Sequence, residues 1–173
     1  MDSSRNNTAN EDFVVKRNGT RETVSFDKIL TRVKNIEKDK LEVNYTALCV
    51  KIIDRLYNNI PTSQIDELTA QQCASLSTTH PDYGILASRI IISNHHKNTS
   101  PSFSETMRTL YENTDVQGNP SPLISKELFE TVEANKSKLN DTIKYDRDFF
   151  FDYFGFKTLE RSYLMRVKSK NTS

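Results

Sequence analysis

The chain has 173 residues, with 24 lysine and arginine against 23 aspartate and glutamate, a net charge of +1 and 35% hydrophobic residues. That suits one or two small units with a modest core. The near-neutral balance gives no general electrostatic case for nucleic acid or an acidic membrane surface, and no apolar run approaches the length of a membrane span.

Residues 1–12 are polar and lack an apolar stretch, so they read as neither signal peptide nor anchor, and a disordered tail is expected there. Residues 13–28, FVVKRNGTRETVSFDK, follow. Two short runs, 13–17 and 20–25, flank Asn18-Gly19, the dipeptide that favours a two-residue type I′ hairpin turn. Alternation sets Phe13, Val15 and Arg17 on one face of the first strand, and Val14 and Lys16 on the other. A hairpin alone is marginal and must lie on something. Ser25 is the expected N-cap, and Asp27 the acidic first-turn residue, of a helix over 26–36 with Ile29, Leu30, Val33 and Ile36 at helical spacing. This brings Lys16 and Arg17 near a helix N-terminus, a setting suited to phosphate.

Further helices are expected over 45–57, 62–77 and 82–96, separated by the charged stretch 37–42 and by breaks at 58–61 and 78–81. Ser63 and Asp66 have the spacing of an acidic capping box. Four helices with short polar links suggest a bundle under the hairpin, closing near residue 97. Beyond it, short helices are expected over 102–112, 123–135 and 136–143, with a loop at 113–122. The run FFFDYFGF at 149–156 reads as core, and 161–167 is β-capable but lacks partners.

Lys16, Arg17 and Lys28 suit phosphates, while Glu22 and Asp27 suit a metal ion, a ribose or those same cations; on composition alone, cross-strand charge pairing on an ordinary solvated hairpin is the simpler explanation. Thr62 and Asp66, one turn apart, read either as a helix cap or as contacts to a hydroxyl or amino group of a base. Lys97 complements a helix C-terminus. His80, His95 and His96 lack metal-ligand spacing, and Cys49 and Cys73 read as buried thiols in a reducing, cytoplasmic setting. The residues by themselves lead to an anion site on an α-helical domain.

At VVKRNGTRETVSFDKI the sequence resembles the ATP-cone, the nucleotide-sensing domain at the N-terminus of ribonucleotide reductase large subunits. The resemblance continues through HPDYGILASRIIISNHHK at 80–97 and through residues 134–167, which include YDRDFFFDYFGFKTLERSYL. It implies a mainly α fold: a β-hairpin lid over a four-helix bundle at 13–97. Residues 98–173 would then be an incomplete helical lead into the ten-stranded α/β barrel of a class I enzyme. It also implies that ATP switches the enzyme on and dATP switches it off, each with Mg²⁺. Lys16, Arg17, Glu22, Thr23, Val24, Ser25, Phe26, Asp27 and Lys28 would line the nucleotide, with Thr62 and Asp66 at the base and Lys97 at the phosphates. Implied partners are other large-subunit chains and a radical-generating small subunit, with no nucleic acid and no membrane.

Full subunits of that family are several times longer, and their catalytic cysteines match neither Cys49 nor Cys73. This segment alone is therefore expected to be inactive, with no catalytic residue and no catalytic cofactor. Two rival readings are a stand-alone nucleotide-responsive regulator and a silent cone serving as an interaction module. The regulator family carries a zinc ribbon ahead of its cone, and residues 1–12 contain no cysteine.

Overall fold

The computed structural model describes residues 12–36 and 40–167. The expected disordered tail, Asp12 apart, and residues 37–39 of the charged connection lie outside them. The described chain is mostly helical, as expected, with eight α-helices and one three-stranded sheet of order β2-β1-β3. It divides into two compact units, Met1–Asn94 and His95–Ser173.

In the first unit, β1 (Phe13–Val15) and β2 (Arg21–Thr23) pair antiparallel with Val14 opposite Glu22. The turn between them is not the expected two-residue type I′. The Lys16 N–H donates to Thr20 O at 2.8 Å and the Gly19 N–H to Lys16 O at 2.9 Å, which leaves a three-residue loop. Within it only Gly19 has positive φ, at 81°. Asn18 is held out of the left-handed region because its Oδ1 accepts from the Thr20 N–H at 3.1 Å and hydroxyl at 2.7 Å. A type I turn followed by a left-handed glycine reverses the chain with the same strand twist. Arg17 consequently leaves the strand face and stands in the loop.

The break expected at 58–61 holds a third strand, β3 (Ile60–Pro61), parallel to β1 with Val14 opposite Ile60. Asn59 takes a left-handed φ of 65°, and its N–H donates to Phe13 O at 2.7 Å. Asn58 Oδ1 accepts from the Phe13 N–H at 3.0 Å. Ile60 is fully buried beneath the sheet, so the hairpin has the support that two strands alone lack.

Helices α1 (Phe26–Lys34), α2 (Tyr45–Ile53), α3 (Thr62–Leu76) and α4 (Pro81–Asn98) supply the core. Ser25 caps α1 as expected, accepting from the Lys28 N–H, and Asn44 caps α2. Val33, Leu48, Ile52, Cys73, Leu86, Ile90 and Ile91 are almost wholly buried. At about 1.5–3 kcal/mol for each large aliphatic side chain, they dominate this unit's stability. α2 ends four residues short of the helix expected over 45–57, since the chain must turn at Asn59 to feed β3.

In the second unit, α5 (Phe103–Tyr111), α6 (Lys126–Ala134) and α7 (Lys136–Thr142) pack together. Arg108 donates to both carboxylate oxygens of Glu133 at 2.8 Å, and the Tyr111 and Phe129 rings stack at 4.3 Å. A 3₁₀ helix (Tyr145–Phe150) and α8 (Tyr153–Ser162) follow. His96 Nε2 lies 2.7 Å from Asp148 Oδ2 and meets the Phe149 ring edge-on.

One expectation fails in this unit, and the β-capable stretch without partners forms no strand. The run at 149–156 is not uniformly core: Phe156 is 6% exposed, but Phe150 is 87% and Phe154 67% exposed. The run spans the end of the 3₁₀ helix and the first turn of α8, so its phenylalanines point in several directions. Asp152 caps α8 by accepting from the Gly155 N–H at 2.6 Å, which draws 161–162 into the helix and leaves no strand at 161–167.

Candidate functional site

The side chains singled out in the first unit gather into two charge clusters, each an acid bridged by two cations. In the first, Glu22 projects from β2 on the face shared with Val14 and Lys16, and it pairs with both Lys16 and Lys28. Lys28 is brought there by the first turn of α1, which Ser25 starts. Lys16 and Lys28 are about half or more exposed, so this cluster holds its geometry weakly and each cation can exchange partners.

The second cluster is deeper. Asp66, on α3, is 6% exposed. Arg32, on α1, donates from Nε to Asp66 Oδ1 at 3.2 Å and from Nη2 to Oδ2 at 3.0 Å. The same Nη2 reaches Ser93 Oγ at 3.2 Å. Arg17 comes from the hairpin loop, donating from Nη2 to Asn94 Oδ1 at 2.5 Å and lying 3.5 Å from Asp66 Oδ2. Asn94 is itself held by its Nδ2, which donates to Ser63 O at 3.1 Å. A buried carboxylate needs this many donors, because desolvation is costly unless the charge is paired and hydrogen-bonded.

This pairing replaces the expected capping box. α3 begins at Thr62 after Pro61, with no side-chain cap bond, and Asp66 turns to the arginines instead of to the helix start. Thr62 stands one turn before Asp66 on the same helix. Asp27, Lys28, Thr31, Arg32 and Asn35 line an open cleft of about 360 Å³ along α1. Of the other expected residues, Thr23 is exposed, Val24 and Phe26 are half-buried, and the Val24 N–H donates to Asp12 O at 2.9 Å. Lys97 lies in the last turn of α4 and belongs to the second unit.

Lys16, Arg17, Lys28 and Arg32 against Glu22, Asp27 and Asp66 leave four positive charges to three negative, a net +1. The arrangement can take an anion by partner exchange, and it presents a fixed acceptor at Asp66. Sequence reasoning missed Arg32, Ser93 and Asn94. Arg32 carried a usable signal, since it follows Lys28 by four residues and continues a cationic stripe flanking Ile29 and Val33. Asn94 had only its polarity after three isoleucines.

The thiols play no part in this chemistry. Cys49 and Cys73 are free and buried. Burial, with Cys49 nearby, pushes the Cys73 thiol up to about 12, and burial also raises Cys49. Among the described residues no group of three or more His, Cys, Asp or Glu is placed to hold a metal ion, and no helix is long and apolar enough to cross a membrane.

Residues 12–98 match the family described as ATP cone domain. The chain belongs to the ATP-cone family. Its cone and the residues after it resemble proteins named ribonucleoside-diphosphate reductase large subunit. Identity is 46% over 159 residues with that of Plasmodium falciparum (isolate Dd2), covering 91% of this chain and 20% of the relative. With that of Arabidopsis thaliana it is 47% over 159 residues, covering 90% and 20%. With that of Caenorhabditis elegans it is 44% over 165 residues, covering 93% and 21%. The chain spans about a fifth of the length of the curated relatives it matches.

Proposed function

We propose that this chain is the N-terminal allosteric region of a ribonucleoside-diphosphate reductase large subunit, whose cone binds ATP as activator or dATP as inhibitor, each with Mg²⁺. Residues 13–97 form the regulatory domain, a hairpin lid over a four-helix bundle. Residues 98–173 are the helical start of the catalytic domain that leads into its barrel. The observation that carries this is the paired clusters Lys16–Glu22–Lys28 and Arg17–Asp66–Arg32, standing on a cleft at the Ser25-capped helix start of an ATP-cone chain.

The residues fit a nucleoside triphosphate. Lys16, Arg17 and Lys28 bind phosphate oxygens through charge-assisted hydrogen bonds, and the N–H groups at the α1 start favour negative charge. Glu22 releases its two lysines as phosphate takes its place. Thr62 and Asp66 face the base, where Asp66 accepts from the adenine amino group. The peptide between them, Thr23 to Asp27, lines the ribose side. Because Arg17 joins the hairpin loop to Asp66 and Asn94, a ligand that engages Arg17 changes how the hairpin is held. The two effectors then favour different assemblies of large-subunit chains and different productive contact with the radical-generating small subunit. This segment catalyses nothing by itself, and the setting is cytoplasmic.

Calorimetric titration of the chain with ATP and with dATP, each with Mg²⁺, tests the reading against the Lys16→Ala/Arg17→Ala variant. Saturable binding lost in the double variant supports it. A folded chain that binds neither nucleotide refutes it and makes this a silent cone.

A further inference from the structure

Arg32 has no role in the binding scheme above, yet three hydrogen bonds tie it to Asp66 and Ser93. Its planar fork engages both oxygens of Asp66, at 3.2 and 3.0 Å, and the nitrogen that holds Oδ2 also donates to Ser93 Oγ. It further lines the cleft on α1, so it spans from the open surface to the buried acid. A guanidinium bound in this way fixes the plane of the carboxylate, which a point charge cannot do.

An ionised carboxylate offers about four acceptor sites and no donor. Arg32 occupies one on each oxygen, and Arg17 approaches a third at 3.5 Å. One acceptor direction remains, and Arg32 sets it, on a residue only 6% exposed. A purine carrying a 6-amino group supplies a donor for it. At the same position a 6-oxo purine places oxygen against oxygen.

We propose that Arg32 is the positioning residue for base selection: its fork holds Asp66 as an oriented, acceptor-only element that admits 6-amino purines and rejects 6-oxo purines. This rests on the reading of the site as an adenine-nucleotide site, and it adds how that site discriminates. Arg32 acts through Asp66 and not by touching the base.

The test titrates the full chain, wild type, Arg32→Lys and Arg32→Gln, with ATP and with inosine triphosphate, its 6-oxo counterpart. Melting curves confirm that each variant is folded. The wild type prefers ATP on the order of 10–100-fold, the ratio expected for one buried mismatched polar contact. Arg32→Lys keeps the charge but loses the fork, so its ATP preference falls by about tenfold while its affinity for inosine triphosphate changes little. Arg32→Gln loses at least as much selectivity. An unchanged preference in both variants overturns the proposal, as does an equal fall in affinity for the two nucleotides, which would mark a purely structural role. If the wild type binds neither nucleotide, the adenine-site reading falls and takes this inference with it. That result is distinct from intact binding with selectivity indifferent to Arg32.

Discussion

Replacing Asp66 by alanine removes the acid on which two arginines converge. Arg32 makes two charge-assisted hydrogen bonds to it, at 3.2 and 3.0 Å. Bonds of that kind contribute roughly 1.5–3 kcal/mol each, or about 3–6 kcal/mol together. The Arg32 side chain is 27% exposed, so water recovers part of that loss and about 2–3 kcal/mol is the net expectation. The Arg17 contact, at 3.5 Å, adds little. For a unit of this size the change corresponds to a fall in Tm of about 10–20 °C. Urea unfolding followed by circular dichroism measures it on the full chain. Lys16→Ala is the internal control, since the Lys16 side chain is 49% exposed and its pairing with Glu22 is worth less than about 1 kcal/mol. A double-mutant cycle of Asp66→Ala with Arg32→Ala should return a coupling of about 1–3 kcal/mol. The reasoning fails if Asp66→Ala costs no more than Lys16→Ala, or if the cycle returns no coupling.

Other outcomes follow from the second unit. Asp152 Oδ1 caps α8 by accepting from the Gly155 N–H at 2.6 Å, so Asp152→Ala should cost about 1 kcal/mol and reduce helix content by circular dichroism. Burial lowers the His95 pKa, with Glu160 and Asp148 opposing and His96 reinforcing the shift, so the folded state binds this proton less readily than the unfolded chain. Its contribution is therefore intact above about pH 6.5 and is lost as the pH falls below that value; His95→Gln should flatten stability over that range in urea titrations at stepped pH. Phe150 and Phe154, 87% and 67% exposed, make the chain prone to self-association. Phe150→Ser/Phe154→Ser should shift it toward monomer in sedimentation without lowering Tm, and unchanged association would count against the role given to these rings.

Much of the fold was legible because it depends on local rules. Apolar spacing located the helices, Ser25 marked the start of α1, and Asn18-Gly19 marked the reversal of the chain. Errors came where a contact that the residue pattern does not display decided the outcome, one of them distant and two local. Two residues, Ile60 and Pro61, have too little pattern to announce a strand, and only pairing with Val14 and Val15 makes them one. Asn18 was expected in a left-handed turn, but its amide oxygen found Thr20. The aromatic run at 149–156 was read from hydrophobicity as core, while the Asp152 cap turned it into a helix with exposed faces.

The same division holds at the candidate site. Charge type and turn chemistry, present in the sequence, were enough to single out Lys16, Arg17, Glu22, Lys28 and Asp66 as the polar residues around a helix start. Which cations close on Asp66 was not, because the contacts of that cluster join residues 34 to 77 positions apart, as Arg32 with Asp66 and Arg17 with Asn94 do. Local interactions fix elements within a few residues, and a sequence displays them directly. The burial of Asp66 and the fork of Arg32 upon it exist only once α1, α3 and α4 have packed, and that packing turns scattered charges into a site.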